Sequence, residues 1–73
     1  MDELDARGLR CPLPVLKARK RLKSLEAGAT LKVWADDPAA VIDVPHFCNE
    51  QGHTLESQNE ENGALVFVIR KGA

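Results

Sequence analysis

The stretch CPLPVLKARKRLKSL, residues 11–25, carries the clearest structural signal in the chain. Pro12 suits the first position of a helix, where its missing backbone N–H is not needed. An apolar residue then recurs every three or four positions and predicts the core face of a helix that runs to about Leu25: Val15, Ala18, Leu22 and Leu25. Leu13 falls on the opposite side, so we expect an exposed apolar group beside Cys11.

Strand patterns lie on both sides of this helix. Leu4 and Ala6 alternate with polar residues before Gly8, which predicts a short strand over about Glu3–Arg7. After Gly28, which we expect to end the helix, residues Thr30–Ala35 alternate as a second strand.

A second helix is indicated by Asp36-Asp37-Pro38, an Asp cap followed by proline. Pro45 is expected to break it, leaving one turn over residues 38–43 and a main piece over 45–51 that Gly52 closes. Two further strands, His53–Gln58 and Ala64–Arg70, flank residues 59–63 and predict a hairpin with Asn-Gly at its turn.

The element order β-α-β-α-β-β predicts an α/β (α+β type) fold. A strand-helix-strand unit implies a parallel pair, and the hairpin adds an antiparallel pair. Two helices cannot cover both faces of a four-stranded mixed sheet, so we expect a two-layer sandwich with both helices on one face. Trp34, Val66 and Val68 are expected on the open face as a modest apolar patch suited to a partner.

Length and composition predict one domain over residues 1–73, with a small core. No apolar run is long enough to span a bilayer, and the acidic N-terminus is unlike a secretory signal. We therefore expect a cytoplasmic protein without a membrane partner, whose two cysteines are free thiols.

Cys11 is the strongest candidate functional residue. It directly precedes Pro12, so it is expected at the helix cap, where backbone N–H groups and the helix dipole stabilise a thiolate. Nearby Arg7, Arg10 and Lys17 add positive charge, and Pro12 and Pro14 stiffen the first turn. These features favour a reactive thiol over a buried structural cysteine.

Three uses of such a thiol are a disulfide, attack on a substrate and carriage of a group. A dithiol pair is normally Cys-X-X-Cys, but position 14 is proline. A nucleophilic enzyme needs a base beside the thiol, and the sequence does not place His46 or His53 there. It also needs a substrate cleft, for which a 73-residue domain has little room. A carrier needs only an exposed, activated sulfur, so carriage fits best.

A basic run on the first helix places five of the ten Lys and Arg residues within residues 17–23. We interpret Leu13, Lys17, Lys20 and Arg21 as a docking surface for an acidic partner. The alternative is a nucleic-acid- or protein-binding regulatory module that uses this helix, and the small sandwich also resembles the C-terminal domain of translation initiation factor three. The net charge of −1 and the few aromatic residues argue against direct nucleic-acid binding.

Cys48 is expected in the core because of its helical setting beside Phe47. A resolving or second acceptor role is the alternative for this thiol. A metal site could be assembled from His46, Cys48, His53 and Cys11, but the His-X-Cys spacing matches no strong zinc pattern, so no metal site is predicted.

The sequence resembles the TusA/SirA family of sulfur carriers. The stretch Leu9-Arg10-Cys11-Pro12-Leu13-Pro14 follows an Asp5-containing strand and is similar to the Cys-Pro-X-Pro motif of that family. The resemblance covers almost the whole chain and extends to the four segments Ala35-Asp36-Asp37-Pro38, Pro45-His46-Phe47-Cys48, Gly52-His53 and Ile69-Arg70-Lys71-Gly72.

This resemblance implies a sulfurtransferase that acts as a persulfide carrier at Cys11, supported by Arg10, Pro12 and Pro14. It implies a cysteine desulfurase or other persulfide donor, and a downstream relay protein as acceptor. The sulfur would end in tRNA 2-thiouridine, in sulfur oxidation or in cofactor supply. No cofactor of the carrier itself is implied.

Overall fold

A computed structural model gives the structure of the chain and describes residues 2–72. Its four strands and two helices follow one another in the predicted order: β1 Asp2–Asp5, α1 Leu13–Lys23, β2 Thr30–Ala35, α2 Ala40–Gln51, β3 Thr54–Glu61 and β4 Ala64–Arg70. The strands form one mixed sheet in the order β1-β2-β4-β3. The β1–β2 pair is parallel, while β4 pairs antiparallel with both β2 and β3. The predicted two-layer α/β fold with one open sheet face is confirmed.

The core lies between the helices and one face of the sheet. Alternate residues of β2 point into it, and Leu31, Val33 and Ala35 are completely buried. Val33 pairs with Phe67 of β4, the largest of the fully buried side chains. Burial of such a side chain contributes roughly 1.5–3 kcal/mol. The period-two pattern of the central strands therefore determines which face the helices cover.

Strand β1 ends at Asp5, two residues before the predicted end at Arg7. Ala6 still donates its N–H to the carbonyl of Trp34 at 2.7 Å. Arg7 then donates its own N–H to Asp5 Oδ1 at 3.0 Å, which turns the chain away from the sheet. Leu4 and Ala6 are buried on one face, as the alternation predicted.

Helix α1 is shorter than predicted at both ends. It begins at Leu13, with Pro12 as the capping residue, and its last residue is Lys23, with Ser24 at the C-cap, rather than about Leu25. The Ser24 hydroxyl donates to the carbonyl of Arg21 at 2.8 Å, which provides a local stop. The predicted core face is confirmed by the burial of Ala18 and Leu22.

Helix α2 is continuous, so the predicted break at Pro45 is wrong. Pro45 lies inside the helix and lacks one backbone donor. Buried residues on both sides of it hold the helix against the sheet: Ala40, Val44, Phe47 and Cys48. Gly52 closes the helix in the left-handed conformation, as predicted (φ 75°).

The hairpin turn contains only two residues, since β3 extends to Glu61. Asn62 and Gly63 both have positive φ, at 49° and 80°. This is the backbone that a two-residue hairpin turn requires, so the Asn-Gly prediction is confirmed while the loop is shorter than expected.

The open face of the sheet carries Trp34 and Val68, both half-buried, and the buried Val66. Two cations cover the Trp34 ring, with Lys32 Nζ 4.6 Å and Arg7 Cζ 5.7 Å from its centroid. The predicted patch is therefore on the expected face but less apolar than the sequence indicated.

Candidate functional site at Cys11

Cys11 lies in the loop that joins β1 to α1. Two carboxylates from the loop after β2 hold this segment in place. Asp36 accepts the N–H of Gly8 with both oxygens, at 3.0 and 3.1 Å. Asp37 Oδ2 accepts the N–H of Cys11 at 2.7 Å. The loop is thus fixed by charge-assisted hydrogen bonds to a segment that is 26–28 residues away in the chain.

Asp37 connects Cys11 to the start of the second helix. Its other oxygen, Oδ1, accepts the N–H of Ala39 at 3.0 Å. The hydrogen bond from Cys11, followed by that from Ala39, lowers the pKa of the Asp37 carboxyl. Helix α2 begins at Ala40 with Ala39 as its capping residue, two residues later than predicted, so Asp37 is not the helix cap. It accepts the N–H of Ala39 just before the helix and also holds the cysteine loop.

The next turn presents the thiol to solvent. Leu13 donates its N–H to the carbonyl of Arg10 at 2.8 Å, and the Cys11–Pro12 peptide bond is cis. Cys11 is exposed, whereas Pro14 is buried. Pro12 and Pro14 thus have different positions, one at the surface and one packed inward.

The electrostatics of the thiol differ from the prediction. Cys11 lies one residue outside the helix cap, which is Pro12. A hydrogen bond to the Asp43 carboxylate is the main cause that raises the pKa of Cys11. Partial desolvation and the negative charges of Asp43 and Asp37 raise it further. These surroundings therefore favour the thiol of Cys11 over the predicted thiolate.

The cations expected beside Cys11 lie in different places. Arg7 Nε forms a salt bridge with Asp5 at 2.9 Å. Arg10 lines a polar depression with Asp36 and Asp37, and its charge helps to lower the pKa of the Asp37 carboxyl. Arg10 is thus near the motif, but its neighbours are carboxylates.

The four residues interpreted as a docking surface lie together. Leu13, Lys17, Lys20 and Arg21 line one open groove of about 560 Å³, with Leu16 and Leu4 also in its wall. Leu13 and Leu16 are 44% and 49% exposed. We call this surface the basic groove.

A second groove, of about 270 Å³, is lined by Cys11. Asp43 and His46 of α2 face Arg19 and Leu16 of α1 across it. His46 Nε2 lies 3.1 Å from Glu50 Oε1. We call this surface the cysteine groove; Leu16 lines both grooves.

Comparison with known proteins identifies the family. Residues 2–71 match the family described as Sulfurtransferase TusA. The chain belongs to the TusA sulfurtransferase family. The crystal structure of a SirA-like protein from Desulfitobacterium hafniense is similar over 100% of both chains, with 31% sequence identity and a TM-score of 0.86. The predicted TusA/SirA resemblance is confirmed, and membership of this family supports a general role in sulfur transfer.

Cys48 occupies the core of this TusA family member. It is 3% exposed, and burial raises the pKa of its thiol to about 11. His53, also considered as a metal ligand, accepts the N–H of Gly72 with Nδ1 at 3.0 Å. Within residues 2–72, no three His, Cys, Asp or Glu side chains are grouped to hold a metal ion. In the same range, no helix has the length and apolar character needed to cross a membrane.

Asp43 is the site residue that sequence reasoning missed. A carboxylate in the first turn of a helix is an ordinary feature, since it complements the helix dipole. No local pattern relates it to a cysteine in the loop before the other helix. The packing of α1 beside α2 brings the two side chains together.

Proposed function

We propose that Cys11 carries a sulfane sulfur as a persulfide. It receives the sulfur from a cysteine desulfurase or other persulfide donor and passes it to a downstream relay protein. The proposal rests on the exposed thiol of Cys11 in a chain of the TusA sulfurtransferase family. The loop that carries this thiol is held by the hydrogen bond from the Cys11 N–H to Asp37 Oδ2, at 2.7 Å.

The loading step transfers a sulfur atom without net oxidation or reduction of the two proteins. Cys11 ionises, its proton passes to solvent, and the sulfur attacks the outer sulfur of the donor persulfide. An S–S bond forms on Cys11 while the donor S–S bond breaks, and the donor leaves as a thiolate. Delivery repeats the exchange with an acceptor thiolate, so no external oxidant or reductant is needed.

The surroundings of Cys11 favour carriage over turnover of a small substrate. The cysteine groove is open and smaller than the roughly 300–1,000 Å³ typical of ligand pockets. A partner protein can approach the exposed sulfur without entering a cavity. The destinations we propose are tRNA 2-thiouridine, sulfur oxidation or cofactor supply, each reached through a relay partner.

Substitution of the carrier thiol tests this function. Incubation with a cysteine desulfurase and cysteine should add one sulfur to the wild type, mapped to Cys11 by peptide mass spectrometry. Cys11→Ser should abolish the adduct because the hydroxyl forms no persulfide. The matched variant Cys48→Ala should keep it. An undiminished one-sulfur adduct on Cys11→Ser would disprove the proposal.

We further propose that the basic groove binds an acidic surface of the donor or acceptor. Exposed leucines supply its apolar floor, and Lys17, Lys20 and Arg21 form its rim. The Arg21 guanidinium also donates to the carbonyl of Glu3 at 2.8 Å, which orients that side chain along the edge strand. Charge complementarity of this kind mainly accelerates association.

Reversal of one rim charge tests the docking proposal. Lys20→Glu should slow loading by the donor by about tenfold at low salt, and Arg21→Glu should also slow it. Lys32→Glu is the matched control, since it makes the same charge change on the open sheet face. Equal loading rates for Lys20→Glu and the wild type would rule out this surface.

A further inference from the structure

Asp43 lies beside Cys11 at the start of the second helix. It belongs to the first turn of α2, where its N–H donates to the carbonyl of Ala39 at 2.9 Å. Asp43 and Cys11 line the same small depression, whose other walls include Val15 and Ala40. A negative charge in this first turn is favoured by the helix dipole.

Asp43 differs in its partners from Asp37, the other carboxylate near the thiol. Both Asp37 oxygens accept backbone N–H groups, from Cys11 and from Ala39. Asp43 instead lines both the small depression and the cysteine groove together with Cys11, and its negative charge there favours the protonated thiol. Within residues 2–72, none of the three salt bridges includes Asp43. Its negative charge therefore lies beside Cys11 and outside these three ion pairs.

We propose that Asp43 is a positioning residue for this site: its carboxylate keeps the empty Cys11 thiol protonated and slows the loss of a loaded sulfur to small thiols. The second part rests on the proposed persulfide function. The first part concerns the empty thiol and holds independently of any sulfur donor.

The empty site is protected because small electrophiles react with the thiolate rather than the thiol. A carboxylate that favours S–H lowers the thiolate fraction, so an exposed sulfur reacts slowly despite its accessibility. Ionisation then occurs when a donor surface offsets the charge of Asp43. The carrier is thereby less reactive in the free state than its exposure suggests.

The loaded site is protected through the leaving group. A small thiolate attacks the outer sulfur of the Cys11 persulfide and forms a new S–S bond with it. The S–S bond to Cys11 breaks, and Cys11 leaves as a thiolate that takes up a proton. A thiol that is a weaker acid is a poorer leaving group, so Asp43 slows this loss. Retention of the cargo is the property that a carrier needs between partners.

Other charged groups around Cys11 come from the preceding loop, from the loop after β2 and from both helices. These groups are Arg10, Arg19, Asp37, His46 and Glu50. His46 and Glu50 lie on the same helix as Asp43 and line the cysteine groove with it. Both can be substituted separately as controls for a pH profile.

The pH dependence of alkylation tests the first part. Iodoacetamide rates at Cys11 should rise with pH, and Asp43→Asn should move the midpoint to lower pH, with a several-fold faster rate near neutrality. Asp43→Glu should restore a midpoint close to that of the wild type. Glu50→Gln and His46→Gln should move it less than Asp43→Asn does. An unchanged or higher midpoint in Asp43→Asn would overturn the proposal.

Sulfur retention tests the second part. Inorganic polysulfide is used to load the wild type and Asp43→Asn, and glutathione is then added while intact mass follows loss of the sulfur. Loss should be several-fold faster in Asp43→Asn; equal or slower loss would overturn this part. If polysulfide leaves no sulfur on wild-type Cys11, the persulfide function fails instead, and the alkylation profile still decides the role of Asp43.

Discussion

Cys11 and Cys48 are the two thiols of the chain, and their environments are opposite. Cys11 is exposed on a loop, beside the carboxylates of Asp37 and Asp43. Cys48 is buried on the inner face of α2, and its carbonyl accepts the N–H of His53 at 2.9 Å. The same functional group thus lies at the surface in one place and packs in the core in the other.

The pKa of both thiols is raised, but by different causes. A hydrogen bond to Asp43 is the main cause at Cys11, whereas burial alone acts at Cys48. A partner can offset the charge of a carboxylate on contact. Burial is removed only when the protein opens or unfolds. Access and reversibility therefore distinguish the two cysteines better than the direction of the pKa change does.

The largest expected difference between the two thiols is in native alkylation. Near neutral pH, excess iodoacetamide should label Cys11 and leave Cys48 unmodified until denaturant is added. Modification of Cys48 requires opening, which for a stability near 5 kcal/mol is disfavoured by about a thousandfold or more. Peptide mass mapping over time measures both rates. Comparable labelling of both cysteines in the folded protein would contradict the predicted difference in accessibility between Cys11 and Cys48.

A smaller difference is expected in stability. Cys48→Ser places a hydroxyl in the core and should lower the free energy of unfolding by about 1–2 kcal/mol. Cys11→Ser should change it by less than about 0.5 kcal/mol, because this side chain is exposed. Urea unfolding followed by Trp34 fluorescence measures both values.

Cys48→Ala serves as the control that removes the sulfur without adding a hydroxyl. Equal losses of stability in Cys48→Ser and Cys11→Ser would show that the two positions do not differ as core and surface.

The amino-acid sequence alone determined the order of the elements, the buried stripe of α1 and the Asn62-Gly63 turn. These features depend on neighbours within a few positions, because helix and strand periodicities and turn conformations are local. The exposed Leu13 beside Cys11 was predictable for the same reason. The resemblance also named the correct family from short motifs.

The tertiary structure alone decided the chemistry around the sulfur. Asp37 accepts the backbone N–H of Cys11, which is 26 residues away in the chain, and Asp43 lies beside the thiol on a separate helix. It also decided that Pro45 remains within one helix, because packing against the sheet outweighs the lost hydrogen bond. Local patterns do not encode such contacts, so the sequence predicted a thiolate at Cys11 where the surrounding carboxylates favour a thiol.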